Sequence, residues 1–344
     1  MTDNVNTLQA PVQTSNGTHE RVMVQLSEST PFLPAYVIGS QGGGSPFTFS
    51  GQHSGSVLEK ITVWVGPSMV KAVQLRLSNG EEQTFGNPND SRPEFFVFKP
   101  RERIETLSLW GNGAGTRLGA IKFRTDQGRE FFVKMTEWGL KTEYKIEVGS
   151  GICVGVTGRS GSDIDSMGFI FLKNIREAML TNMNYPRLDL DKPLVRPVDI
   201  KPVFYKNDSS VSQKISFKSG TEITFKEHWS ITTGVEFLSS VKVSGGIPAV
   251  VQTEAGFSFK LSVTGQYDQE NSRTEKEEWT YTFTIPARKT IKAVVEMGKA
   301  DINLDYTAQM RITTTDGSKW EFGMNGTYDG VTYTEATVKV EEYD

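Results

Sequence analysis

The stretch KITVWVGPSMVKAVQLRLSNG, residues 60–80, consists of two short runs of alternating apolar and polar residues around a turn, and almost the whole chain is written in that form. TLSLWGNG, AIKFRTDQG, EFFVKM and GFIFL repeat the pattern, rich in Val, Ile, Phe and Thr and closed by turn residues such as LSNG and TDQG. Period-two alternation puts one side of each run in a core and the other in water, which is the signature of a strand. The one helix candidate is short, at NIREAMLTNM. The expectation is therefore an all-β protein, and 344 residues suffice for a sizeable core.

Texture divides the chain. Residues 1–31 are polar and read as a flexible N-terminal tail, although RVMVQL within it could add as an edge strand. Residues 32–172 are glycine-rich with closely spaced short strands, which suits a compact barrel or prism. Residues 173–344 carry longer strands dense in Thr, Ser, Lys and Glu, which suits an elongated sheet solvated on both faces. NYPRLDLDKPLVRPVDIKP joins the two as an extended, proline-bearing connector. No repeat of 20 to 50 residues is visible in the letters.

Several function classes fall away. A net charge of −4 without a basic stripe gives no reason to expect nucleic acid. The single cysteine, Cys153, excludes an intrachain disulfide and a thiolate metal cluster, and its ICVGV setting reads as buried. The three histidines, His19, His53 and His228, have no metal-ligand spacing, so no metal or cofactor is expected. GRSGS is not a Gly-x-Ser-x-Gly elbow and leads into a strand, and the glycine clusters lack a Walker lysine, so the chain reads as a non-enzyme. The N-terminus lacks the basic and apolar regions of a secretory signal, and no run reaches a membrane helix. The expectation is a soluble chain, cytoplasmic or released by an unconventional route, which would reach any membrane from solution.

Two stretches carry binding chemistry. In GRSGSDIDSMGFIFL, Asp165 closes a glycine-rich loop before an apolar strand, and GSQGGGSPFTFSG supplies a second loop whose glycines permit close approach. A carboxylate held this way accepts two hydroxyls of one sugar; the competing reading is an ordinary turn with a capping aspartate. Residues 32–172 resemble a jacalin-related lectin domain, with Gly161 and Asp165 at the two defining positions of that family's Gly-x-x-x-Asp sugar loop. The resemblance implies a β-prism of three four-stranded sheets and sugar contacts from Ser162, Asp163, Asp165 and Gly43 or Gly44. Galactose binders of that family often carry an aromatic in this loop; Ser162 and Asp163 stand here instead, which favours mannose-type cell-surface glycans.

The second stretch is VKVSGGIPAVVQTEAGFSFKLSV, Val241 to Val263. Read as a membrane hairpin of about 235–264, it pairs Val235–Ser244 with Ala255–Thr264, each near the roughly 9–11 residues a barrel strand needs. Val235, Phe237, Val241, Val243, Phe257, Phe259, Leu261 and Val263 would face lipid, and Ile247, Pro248, Val250 and Val251 would form an apolar tip that enters first. A half-buried hairpin of a soluble domain fits the same alternation. Residues 173–344 resemble the aerolysin-type pore-forming module in their long polar strands, the inserted hairpin and the return strand EWTYTFTIPARKTIKAVVEM. The order of lectin then pore module is similar to the natterin-like proteins of fish, with SLWGNGAGTRLGAIKF and WGLKTEY especially close. These resemblances imply a glycan-targeted β-barrel pore-forming protein that assembles with copies of itself into a ring and enters a lipid bilayer. The alternative is a lectin with an oligomerisation stalk that never inserts.

Overall fold

The computed structural model describes residues 21–24, 30–88, 92–198, 200, 202–231, 235, 237–254 and 256–343. Every regular element among them is a strand, and the fold is all-β as the alternation predicts. Most of the expected tail, residues 1–20 and 25–29, lies outside the described residues, but Arg21–Val24 does form an edge strand. No described helix is long and apolar enough to cross a membrane.

Contacts divide the chain into two compact units, and the division is not a single cut at 172/173. The first holds Met1–Ala178, Thr233–Ser240 and Met310–Gly323; the second holds Met179–Thr232, Val241–Gln309 and Met324–Asp344.

Three sheets build the first unit. One orders β1 (Arg21–Val24), β2 (Ala35–Gly39), β13 (Ile164–Phe171), β12 (Cys153–Ser160) and β3 (Ser45–Ser50). A second orders β6 (Glu82–Gly86), β5 (Val70–Leu77), β4 (Leu58–Val65) and β7 (Glu94–Val97). The third orders β10 (Glu130–Lys134), β9 (Leu118–Thr125), β8 (Ile104–Gly111) and β11 (Glu143–Ile146). Each sheet is centred on one hairpin with a strand on either side, and β1 adds a fifth strand to the first, where the resemblance implied four. The inward side chains converge on a shared core that includes Ile61, Val73, Leu109, Ile121, Phe123 and Phe169. Burying such a side chain is worth about 1.5–3 kcal/mol, so the alternation itself drives the three sheets together. Cys153 lies in this core, and burial pushes its thiol up to about 12.

The later segments of the first unit dock through aromatics. The Trp320 indole N–H donates to the Gln52 carbonyl at 2.7 Å, and its ring meets Phe32, Phe237 and Phe322.

The second unit draws on β14 (Ile175–Asn184), β15 (Val195–Pro197), β16 (Val203–Lys206), β17 (Gln213–Trp229), β18 (Lys242–Gly245), β19 (Pro248–Thr253) and β20 (Gly256–Leu261). It continues through β21 (Gly265–Asp268), β22 (Glu270–Ile285), β23 (Thr290–Glu296), β24 (Gly298–Thr314), β25 (Lys319–Tyr333) and β26 (Thr337–Tyr343). Its main sheet runs β21-β18-β14-β24-β25-β17-β22, with β15 on β24, and a smaller sheet runs β16-β23-β26. β17 and β22, of 17 and 16 residues, pair without a break from Gln213↔Ile285 to His228↔Glu270. Phe217, Ala293 and Val295 form a small core with Tyr205, Trp279 and Phe283 around them. Asn207 is buried, and its amide donates to the carbonyls of Val211, Ile285 and Pro286.

The expected helix at NIREAMLTNM is strand β14 instead. Arg, Glu, Ala, Met and Leu favour helix locally, but Met179 and Leu180 pair in parallel with Lys242 and Val243, and Leu180 is fully buried. Tertiary pairing and burial override a propensity of a few tenths of a kcal/mol per residue (~0.5).

Candidate functional site

In each central hairpin of the first unit one residue just past the turn has no cross-strand partner. Register steps from Ser160↔Ile164 to Arg159↔Ser166, from Val65↔Val70 to Trp64↔Ala72, and from Gly111↔Leu118 to Trp110↔Ala120. The residues skipped are Asp165, Lys71 and Gly119. A bulge re-aims a side chain, and here one bulge recurs three times, nearly evenly spaced along the chain. The first unit is thus an internal threefold repeat that the letters conceal. Gly39 and Gly86 confirm the equivalence: both have positive φ, and a methyl on either would overlap the carbonyl oxygen of Asp165 or Lys71 respectively. Only the β12–β13 copy of the bulge carries a carboxylate.

Asp165 is 3 % exposed, and the two predicted glycines frame it. A methyl on Gly43 would overlap Oδ1 of Asp165, and one on Gly44 would overlap Oδ2. Gly44 also has φ +46°, so only glycine fits there on both counts. Arg159 holds the loop in place, donating from Nε to the Gly43 carbonyl at 2.6 Å and from Nη2 to the Gly44 carbonyl at 2.9 Å. Ser40 N–H donates to the Asp165 carbonyl at 2.9 Å. Ser162 is exposed at the turn, and Asp163 is partly buried beside it. The five predicted residues therefore meet at one place.

Two cations that sequence reasoning missed complete the site. Arg117, from the β8–β9 turn, places Nη1 3.0 Å from Asp165 Oδ1 and Nε 3.2 Å from Asp163 Oδ2. Lys71, from the β4–β5 hairpin, pairs with Asp163 Oδ1. Partial burial alone would raise the Asp163 carboxyl; Lys71 and Arg117 outweigh it and hold the group below its ordinary 3.8. A carboxylate offers about four lone-pair sites, so Asp165 keeps acceptors on both oxygens after Arg117 takes one. Only the register of the three hairpins, which the letters conceal, puts GPSMVK and GAGTRLG in the same place in their hairpins as GSDID in its own. Among the described residues no group of three or more His, Cys, Asp or Glu could hold a metal ion.

The second-unit hairpin differs from its expected form. Val235 and Phe237 are not on it: they are buried in the first unit, where Phe237 stacks on Trp320 and its carbonyl accepts from Arg103 at 2.9 Å. Their alternation reflects a segment wedged into a core rather than a strand. The hairpin runs from Lys242↔Asp268 to Gly245↔Gly265, passes an irregularity, and resumes from Pro248↔Leu261 to Thr253↔Gly256. Its tip therefore lies between Thr253 and Gly256, where φ +120° at glycine allows a tight turn. The apolar residues expected at the tip lie away from it. Ile247 precedes β19, and Pro248, Val250 and Val251 lie within it.

Directly opposed residues share a face. Pro248 with Leu261, Val250 with Phe259 and Gln252 with Phe257 make one face; Ala249 with Lys260 and Val251 with Ser258 make the other. Val251 thus lies on the face opposite Pro248 and Val250. Pro248 and Val250 are buried, as are Val241 and Val243 at the root. Phe257, Leu261 and Val263 are 38 %, 37 % and 90 % exposed. At the root, the Tyr185 hydroxyl accepts from the Trp229 indole at 2.9 Å and donates to the Gly246 carbonyl at 3.4 Å, while Trp229 stacks on Tyr267.

The Jacalin-like lectin domain model matches residues 36–170. The crystal structure of a lamprey immune protein aligns over 91 % of this chain and 99 % of its own, with 46 % identity and a TM-score of 0.86. A Malaysian banana lectin aligns over 40 % of this chain and 96 % of its own, at 23 % identity and a TM-score of 0.34. An artocarpin–mannotriose complex aligns over 42 % and 99 %, at 19 % identity and a TM-score of 0.33. No curated protein matches the chain.

Proposed function

Because this chain belongs to the family of the lamprey immune protein, a Jacalin-like lectin domain followed by a further β-sheet region, we propose that it is a glycan-targeted pore-forming protein. The first unit docks on mannose-type surface glycans. Asp165 accepts two hydroxyls of one sugar, backbone N–H groups of the Gly43–Gly44 and Ser162–Asp163 turns donate to it, and no aromatic stands in the loop for galactose to stack on. Docked copies gather on the membrane and form a ring, and each contributes its aerolysin-like hairpin to one closed barrel, since a single hairpin cannot satisfy its own edges in lipid.

The observation that carries this reading is the hairpin Lys242–Asp268. It has four plus six paired residues on one side and six plus four on the other, close to the roughly 9–11 of a barrel strand. One face is almost wholly apolar between Pro248 and Leu261. Dye leakage from liposomes with and without oligomannose-type glycolipid tests it, with calorimetric titration of methyl α-mannoside alongside. Leakage is expected only from glycan-bearing vesicles. Asp165→Ala removes charge-assisted acceptors worth about 1.5–3 kcal/mol each and is expected to lower both sugar affinity and leakage at least tenfold. Binding without any leakage would leave a lectin that does not insert.

A further inference from the structure

Trp138 lies in the β10–β11 loop and is 46 % exposed. Among the described residues its indole N–H has no hydrogen-bond partner and its ring has no aromatic neighbour. The loop around it is nevertheless fixed. Thr136 N–H donates to the Gly66 carbonyl at 3.1 Å, and Glu137 and Trp138 N–H both donate to the Pro67 carbonyl at 2.9 and 3.1 Å. Further along, the Lys141 stem lies over Gly113 of the β8–β9 turn. So the loop is tied to two turns, and each of those turns sends a cation to Asp163: Lys71 from one, Arg117 from the other. Pro67 and Lys71 are four residues apart, at most about 14 Å of chain. Pro67 is exposed, and the Met69 sulfur and the Lys71 methylenes lie against Gly66.

The geometry points to Trp138 as the platform of a second sugar subsite, on which a saccharide unit beyond the one held by Asp165 stacks the C–H face of its ring. This rests on the glycan-binding reading above and adds to it a preference for oligosaccharides over single sugars. A rigid, exposed tryptophan beside a polar anchor is the kind of residue that dominates recognition energetics. Arg117 and Lys71 tie the two subsites into one surface.

The test titrates the full-length protein with methyl α-mannoside and with mannotriose. Trp138→Ala is expected to weaken mannotriose binding about tenfold while leaving the monosaccharide unchanged, and Trp138→Phe to restore most of the loss. Equal mannotriose affinity in Trp138→Ala and parent overturns the subsite, as does an equal loss for both ligands. If Trp138→Ala instead weakens binding to sugar-free phosphatidylcholine liposomes and spares mannotriose, the residue is a membrane contact and the subsite is wrong. Asp165→Ala separates the two claims: it is expected to abolish binding of both sugars. Retention of both by Asp165→Ala, or no binding of either by the parent, removes the glycan reading and the subsite with it.

Discussion

Asp163 shows how the loop beside Asp165 is held and how acid would loosen it. Its carboxyl sits between Lys71 and Arg117, and the same guanidinium continues to Asp165. Because the folded group titrates below its ordinary 3.8, it stabilises the fold in full above that value, and the contribution is lost as the pH falls from there through the lowered folded value. Thermal melts of the parent and Asp163→Asn are therefore expected to differ by a constant amount from pH 7 to pH 5 and to converge below pH 4 (roughly). Convergence already near pH 6 would mean that the pairing does not hold in solution. Asp165 and the close approach of a glycine-rich loop were legible in the residues, whereas Gly43 and Gly44 were singled out only by the lectin resemblance. Lys71 and Arg117 were not, because a cation that arrives from another hairpin leaves no trace in local spacing.

At the scale of elements, alternation located nearly every strand but could not say which runs pair. The knot Ile247–Val251 looks like a turn because Gly245 and Gly246 precede it and Pro248 lies within it, yet the register puts the turn after Thr253. A two-residue connection closed by a left-handed glycine outcompetes a longer apolar loop, since it pairs more backbone groups. NIREAMLTNM misleads for the converse reason, as its partner Lys242–Val243 is distant in sequence. The hairpin root makes a stability prediction. Trp229 is fully buried and its only polar atom donates to Tyr185, whose hydroxyl burial pushes up to about 12 despite that bond. Tyr185→Phe leaves the indole N–H without an acceptor and is expected to cost about 1–3 kcal/mol in urea unfolding with an unchanged m-value. A change below a few tenths of a kcal/mol (~0.3) would show that the bond does not form.

For the whole molecule, the threefold repeat sets valency. Lys71 and Gly119 replace the carboxylate in two of the three copies of the bulge, so among the described residues one copy alone offers the acidic pocket proposed for sugar. Weak binding by one pocket becomes strong only when copies gather, and gathering is also what a barrel of hairpins requires. In the proposed mechanism, docking and insertion are therefore linked by the number of copies gathered. The claim on which this depends is that one face of the Lys242–Asp268 hairpin meets lipid and the other meets water. Leu261 and Lys260 are neighbours on opposite faces near the middle of the hairpin, and both are exposed enough in the folded chain to accept a new charge. Leu261→Arg puts a cation on the lipid face at about 2–4 kcal/mol per subunit near the midplane, whereas Lys260→Glu changes only the lumen. The deciding measurement is dye leakage from oligomannose-bearing liposomes by both variants, with folding checked by circular dichroism and glycan binding by calorimetry. The prediction is that both variants fold and bind sugar as the parent does, that Leu261→Arg fails to leak, and that Lys260→Glu leaks normally. Full leakage by Leu261→Arg would contradict the account.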